Sequence, residues 1–356
     1  MGDTQRLPME IILHIIDSFI DNPRAIYSPS DDVTKTLLSF TLVCRATYAH
    51  ASNHLRRQCM FVDTEDRMKR CIYYLKATNH LVPEYNLCKI DDFQVSPPRV
   101  RLCPVPSRYL AITRSAERQL YDRSMTDSST ELLTLIRPGL KRLILDISFD
   151  CYCAPNGWGN VFPHPGQSSS AWPSFVAAFS SLTELEEVVS LQDSTYFPCL
   201  EISWGIKRPV WALWPNLRRF ALYAADTDYT SFWQNTRRAE TLELLILGSP
   251  RTIRSCLKTA YLQPGPSDTE ATKPPTPLKI VFAAAPQHQP RSDSGRCCLP
   301  WVSNWPSVDP DNLITVSLHD LPPPAQAWSP RSEAREHMRT AALRDEIWDW
   351  QGEIVS

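Results

Sequence analysis

Apolar residues near the start of the chain recur at the spacing of a helix. Ile11, Ile12, Ile15, Ile16, Phe19 and Ile20 follow that period, and Leu13 widens the stripe beyond an ordinary core-facing face. His14, Asp17, Ser18 and Asp21 leave only a narrow polar side. Pro8 suits the first helical position, where no backbone N–H is needed, and Glu10 lies near the positive end of the helix dipole. A short helix with this much apolar surface implies a partner. After a polar, turn-prone interval at 21–32, the residues Val33, Leu37, Leu38, Phe40, Leu42 and Val43 predict a second helix running into Cys44 and Arg45. Residues 46–55 predict a third.

Beyond this module the period changes. Cys59, Met60, Phe61 and Val62 have strand character, residues 67–77 read as a helix with Met68, Cys71, Ile72 and Leu75 on one face, and residues 85–95 read as extended. Pro97, Pro98, Pro104 and Pro106 mark a loop crowded with helix breakers. From residue 128 a motif of three apolar positions recurs. Leu140, Leu143 and Leu145 return as Leu217, Phe220 and Leu222, as Leu242, Leu245 and Leu247, as Leu278, Val281 and Ala283, and as Leu313, Val316 and Leu318. A damaged copy begins at Leu182 and Leu185, with Glu187 where the third apolar residue belongs. Helices are expected before several copies, over 129–136, 172–179, 229–239 and 251–262. Strand alternating with helix suggests a parallel sheet with right-handed crossovers. The Pro/Ser-rich intervals 263–277 and 286–295 read as exposed loops. Past Leu321 and the prolines that follow it, residues 332–350 carry a helical pattern through Ala334, Met338, Ala341 and Ala342 that ends in Trp348, Asp349 and Trp350. The chain thus divides into a helical module at 1–57, a linking strand/helix segment at 58–127, a repeat region at 128–325 and a C-terminal helix or tail at 326–356.

Leu7-Pro8-x-Glu10-Ile11, followed later by Leu42-Val43-Cys44-Arg45, resembles an F-box in the style of fungal F-box proteins. The resemblance implies three small helices that dock onto a Skp-type adaptor, which joins them to a cullin scaffold and a ubiquitin-conjugating enzyme. Leu7, Pro8, Glu10, Ile11 and Ile15 match the adaptor-facing motif of the first helix, and Leu42, Val43 and Cys44 match the second-helix part. Thr47 stands where that family usually carries an aromatic residue. The recurring strand motif resembles the leucine-rich repeat, in which alternate side chains enter a stacked core. Where that repeat carries Asn or Cys, this chain has Ser148, Ser190, Ala225, Pro250, Pro286 and Leu321. The two resemblances imply an α/β fold class, with a small N-terminal three-helix F-box followed by an irregular leucine-rich-repeat-like α/β solenoid. They further imply a non-catalytic substrate-recognition subunit of an SCF-type ubiquitin ligase that holds a protein target. The alternative is an interaction scaffold outside the ligase, its helical module serving as an adaptor dock or a solenoid cap.

Composition narrows the partners. At 356 residues and 43% hydrophobic content the chain can build a sizeable core plus a small module. A formal charge of -2 and the lack of a dense Lys/Arg stripe argue against nucleic acid. No apolar run approaches bilayer-spanning length and no leader pattern is visible, so no membrane partner and a cytoplasmic or nuclear location are expected. Eleven scattered cysteines, an odd number, read as reduced thiols.

Catalytic patterns are sparse. Ten glycines leave few candidates for a phosphate loop, and the chain has no H-E-x-x-H, no G-x-S-x-G and no paired zinc knuckle. Cys151 and Cys153 with His164, completed by Cys297 and Cys298, are the best metal candidates, but their spacing favours buried or loop thiols, and no metal or cofactor is expected. His14, His50 and His54 are assigned to solvated helix faces, and the other histidines have no local acid to orient them. Trp211 and Trp214 belong to an apolar run and read as core. Trp301 and Trp305, in a Pro-bounded loop, serve either as contacts for a target or as loop anchors.

Overall fold

The computed structural model describes residues 7–79, 109–113, 123–146, 172–191, 210–225, 227, 230–249, 256–262, 276–284, 305–322 and 330–355. Over these residues the fold is mixed α/β, with a nine-stranded, mostly parallel sheet and ten α-helices. The chain begins with α1 (Met9–Ser18), α2 (Asp32–Phe40) and α3 (Arg45–Gln58), followed by β1 (Phe61–Val62), α4 (Glu65–Asn79) and β2 (Tyr109–Thr113). Next come α5 (Arg123–Ile136), β3 (Arg142–Asp146), α6 (Trp172–Ser180), β4 (Glu187–Ser190) and a 3-10 turn at Val210–Leu213. Then β5 (Arg219–Tyr223), α7 (Thr230–Arg237), β6 (Leu244–Gly248), α8 (Leu257–Leu262), β7 (Leu278–Ala284), α9 (Trp305–Val308) and β8 (Ile314–Asp320) alternate. The chain closes with α10 (Pro330–Leu343), a 3-10 turn at Glu346–Asp349 and β9 (Glu353–Ile354). No helix among the described residues is long and apolar enough to cross a membrane.

The strands lie across the sheet in chain order, each of β1 to β8 parallel to its neighbours, and β9 runs antiparallel to β8. Side chains alternate between two buried faces. Leu110, Leu143, Val188, Phe220, Leu245, Ile280 and Val316 form one row in register. That row packs with Met68, Leu132, Phe179, Trp211, Phe232 and Tyr261 in the larger core. Ala111, Ile144, Val189, Ala221, Ile246 and Val281 form the row on the opposite face, where α10 supplies Ala334, Met338, Ala341 and Ala342. Helix α10 has 14 residues, about 21 Å of length, enough to reach across about four strands. The C-terminal pattern that sequence left as either helix or tail is therefore part of the core.

The register corrects two repeat copies. Ile280 and Phe282, rather than Val281 and Ala283, face the larger core, because a slip of one residue moves every side chain of a strand to the other face. In the copy read as damaged, Leu185 and Val188 occupy the core positions, while Glu187 starts β4 on the opposite face. Strand β2, which the sequence reading passed over, pairs along its whole length with β3. Residues 85–95 and 286–295 lie outside the described residues.

A buried ionic cluster joins the N-terminal helices to the sheet. Arg142, Glu187 and Arg219 occupy facing positions at the starts of β3, β4 and β5. Arg142, fully buried, donates from Nε to Glu187, from one terminal nitrogen to the carbonyl of Arg24 (3.0 Å) and from the other to Asp345. Arg219 reaches Glu187 at 2.6 Å, and Arg24 reaches both Glu187 and Asp345, the latter at 3.0 Å. Burial opposes ionisation of Glu187, but Arg142, Arg219 and Arg24 outweigh it and hold its carboxyl below the usual value. Asp345, half-buried and facing the Glu187 charge, is pushed up instead. Two more bonds complete the seat: the Ile26 backbone N–H donates to Leu343 O at 2.7 Å and the Asn22 side-chain amide to Arg344 O at 2.8 Å.

Candidate functional site

Helix α1 begins one residue later than its sequence suggests. Pro8 is the N-cap, with extended backbone (φ -54°, ψ 144°), rather than the first helical residue. Its carbonyl accepts the N–H groups of Ile11 (3.1 Å) and Ile12 (3.3 Å), so a residue without a donor opens the helix at no loss of hydrogen bonds. Glu10 is exposed in the first turn.

The apolar surplus of α1 splits into two stripes. Ile16 is buried against Leu37 and Ala51, with Ile12, Leu13, Ile20, Val33, Phe40 and Leu55 packed around them. Leu7, Ile11, Ile15 and Phe19, spaced by four residues, remain open to solvent, Leu7 at 62% and Ile11 at 46%. Phe19 and Phe40 stand 6.1 Å apart, ring centre to ring centre, bringing the end of α1 to the end of α2. Helix α2 stops at Phe40, short of the predicted end. Residues 41–43 form a turn that leaves Leu42 87% and Val43 64% exposed, beside the exposed Leu38. Each large aliphatic side chain contributes roughly 1.5–3 kcal/mol when fully buried, so covering these side chains would favour association. Single exposed apolar residues need no explanation, but a concentration of them marks an interaction surface.

Thr47 accounts for its own position. It is fully buried, its hydroxyl accepts the Cys44 N–H and donates to the Cys44 carbonyl, both at 3.0 Å, and it thereby closes a capping box at the start of α3. Hydrogen bonds from Thr47 also pull the exposed Cys44 thiol below its usual pKa.

The same module holds a polar constellation that the sequence reading missed. His50 and His54, assigned there to solvated faces, are partly buried, and the Nε2 atoms of both rings approach one carboxylate oxygen of Asp17, at 2.7 and 2.8 Å. Partial burial opposes ionisation of Asp17, but the two imidazoles outweigh it and hold the carboxyl below 3.8. The legible signal was the spacing of four between the histidines, which places both on one helix face.

The remaining candidates separate. Trp305 is 3% exposed, with Lys258 Nζ 5.0 Å from its ring centre, so it anchors the chain before β8 and offers no surface to a target. Of the two roles left open for Trp305, its burial fits the loop anchor. Trp301, Cys151, Cys153, His164, Cys297 and Cys298 lie outside the described residues. Trp211, Trp214 and Trp233 are core, and the buried Trp214 and Trp233 N–H groups donate to Phe179 O (3.0 Å) and Thr227 O (2.8 Å). An open depression of about 420 Å³ at the β8–β9 junction is lined by Leu318, His319, Asp320, Gln351, Gly352 and Glu353. No family model matches the chain, and no curated protein or solved structure does.

Proposed function

We propose that the chain is the substrate-recognition subunit of an SCF-type E3 ubiquitin ligase. The F-box-like helices α1 to α3 bind a Skp-type adaptor through Leu7, Pro8, Glu10, Ile11, Ile15, Leu42, Val43 and Cys44, and the adaptor links the chain to a cullin scaffold. The sheet and its helices form an irregular leucine-rich-repeat-like solenoid that holds an unidentified protein target. The observation that carries the reading is the exposed apolar face of Leu7, Ile11, Ile15, Leu42 and Val43, the positions matching the adaptor-facing motif. Strands that follow chain order across a parallel sheet support the repeat-like half. Ubiquitin transfer belongs to other subunits, and this chain contributes proximity and orientation.

Co-expression with a Skp-type adaptor, followed by size-exclusion chromatography, tests the reading. Wild type elutes as a stoichiometric complex and the Leu7→Ala/Pro8→Ala variant does not. Failure of wild type to form the complex overturns it. The alternative is a non-ligase interaction scaffold whose helical module is an adaptor dock or a solenoid cap, and the cap draws on the Arg24 contacts to Glu187 and Asp345. Target levels that stay steady when the chain is depleted, with adaptor binding intact, favour that alternative.

A further inference from the structure

We propose that Asp17, His50 and His54 form a binding site for a zinc ion that staples α1 to α3. Histidines four residues apart on a helix project from one face, the spacing helical zinc sites use for paired imidazole ligands. Here the opposing helix supplies the third donor: the carboxylate oxygen of Asp17 lies 2.7 Å from His50 Nε2 and 2.8 Å from His54 Nε2. One ligand atom from each residue falls within 4.8 Å of the others, and the rings stand at 75° with centres 5.2 Å apart, so their nitrogens converge rather than stack. Imidazole nitrogen and carboxylate oxygen are both ordinary zinc ligands, with bonds of about 2.0–2.2 Å. Tetrahedral coordination at that length sets donors about 3.3 Å apart, so each His nitrogen needs to draw back from the Asp17 oxygen by only about half an ångström.

The protons balance within the site. Without metal, each Nε2 carries the hydrogen it gives to Asp17. On binding, each ring moves that proton to Nδ1 and offers the Nε2 lone pair to the ion, with no net change in charge on the ring. Three protein ligands leave the fourth position open to water. The Asp17 side chain is 48% exposed, so the ion enters directly from solvent. Asp17 belongs to the last turn of α1, so the bound ion fixes that helix against α3 and with it the exposed stripe that α1 carries. The site is intrinsic to the chain and stands whether or not the helices dock an adaptor.

The test uses the full chain, stripped with a chelator and titrated with zinc chloride against a chromophoric chelator, alongside thermal unfolding with and without zinc. Cysteines elsewhere also take up zinc, so the readout is a difference. His50→Ala and His54→Ala each bind one equivalent fewer than wild type, or bind it at least about tenfold more weakly, and lose the zinc-dependent rise in Tm. His54→Gln, whose amide still donates to Asp17, guards against simple unfolding, and circular dichroism checks the helix content of each variant. Equal zinc uptake by wild type and folded His54→Gln overturns the site, as does a wild-type Tm that zinc leaves unchanged.

Discussion

Arg142 and Glu187 face each other across β3 and β4, and their side chains form an ion pair from which water is excluded. Without Glu187 the fully buried Arg142 keeps Asp345 as its carboxylate partner, which it shares with Arg24, so the guanidinium charges outnumber the carboxylates in a medium that solvates them poorly. Glu187→Gln lowers the stability of the chain by about 3–5 kcal/mol, measured by urea unfolding. Replacing the pair together, Arg142→Met with Glu187→Leu, costs much less than the two single changes added. A single-variant loss of under about 1 kcal/mol would place the pair with exposed salt bridges.

Asp309 gives the acid limb of stability a residue-specific part. Burial disfavours its charge, but Lys258 Nζ at 2.8 Å and the N–H groups of Leu313 (2.8 Å) and Ile314 (3.0 Å) outweigh burial and hold the carboxyl below 3.8. The unfolded chain therefore takes up this proton first as pH falls. The contribution is complete above 3.8 and is lost as pH drops through the lower folded value. Urea unfolding at stepped pH shows wild type more stable than Asp309→Asn above that value, with the gap closing below it. A gap independent of pH refutes the assignment.

Gly248 is where β6 meets α10. A Cβ added there would lie 2.0 Å from Met338 Sδ and 2.9 Å from its Cε. Gly248→Ala therefore destabilises by about 1–3 kcal/mol, and adding Met338→Ala recovers part of that loss by clearing the overlap. Equilibrium unfolding of the two variants measures both.

The two stripes of α1 and the turn after α2 predict opposite responses. Leu42→Glu, at an 87% exposed position, changes stability by no more than about 0.5 kcal/mol, and under the proposed adaptor-binding reading it weakens capture of a Skp-type adaptor in a pull-down. Ile16→Glu, at a fully buried one, melts the N-terminal helices as read by circular dichroism. An equal effect of the two on folding rejects this division.

How much of this was legible beforehand follows from burial. The surplus on α1 was plain in its spacing, but which stripe turns outward depends on α2 and α3. Strands such as Leu278–Ala284 are covered on both faces, so Ile280, Val281, Phe282 and Ala283 are all apolar and the period of two that fixes register is erased. Glu187 looked like a defect in a repeat because its partners, Arg24, Arg142 and Arg219, come from other strands and from the N-terminal module. The small residues Ala334, Ala341 and Ala342 made α10 weakly amphipathic on paper, yet small residues are what let a helix lie close against a sheet. His50 and His54 were seen without Asp17, which comes from another helix.

The backbone bond from Ile26 to Leu343, with Arg24 on Asp345, also sets an order of events during synthesis. A ribosome releases the first helices long before the residues that seat them, since Asn22 and its acceptor on Arg344 are 322 positions apart. Domains form from the N-terminal end as the chain emerges, so α1 to α3 precede the contacts that seat them, first those of Arg24 with Arg142 and Glu187 and last those with Leu343, Arg344 and Asp345. A nascent chain broken off before Leu343 keeps only the Arg24 half of that mooring, whereas a finished one adds the bonds to Leu343, Arg344 and Asp345.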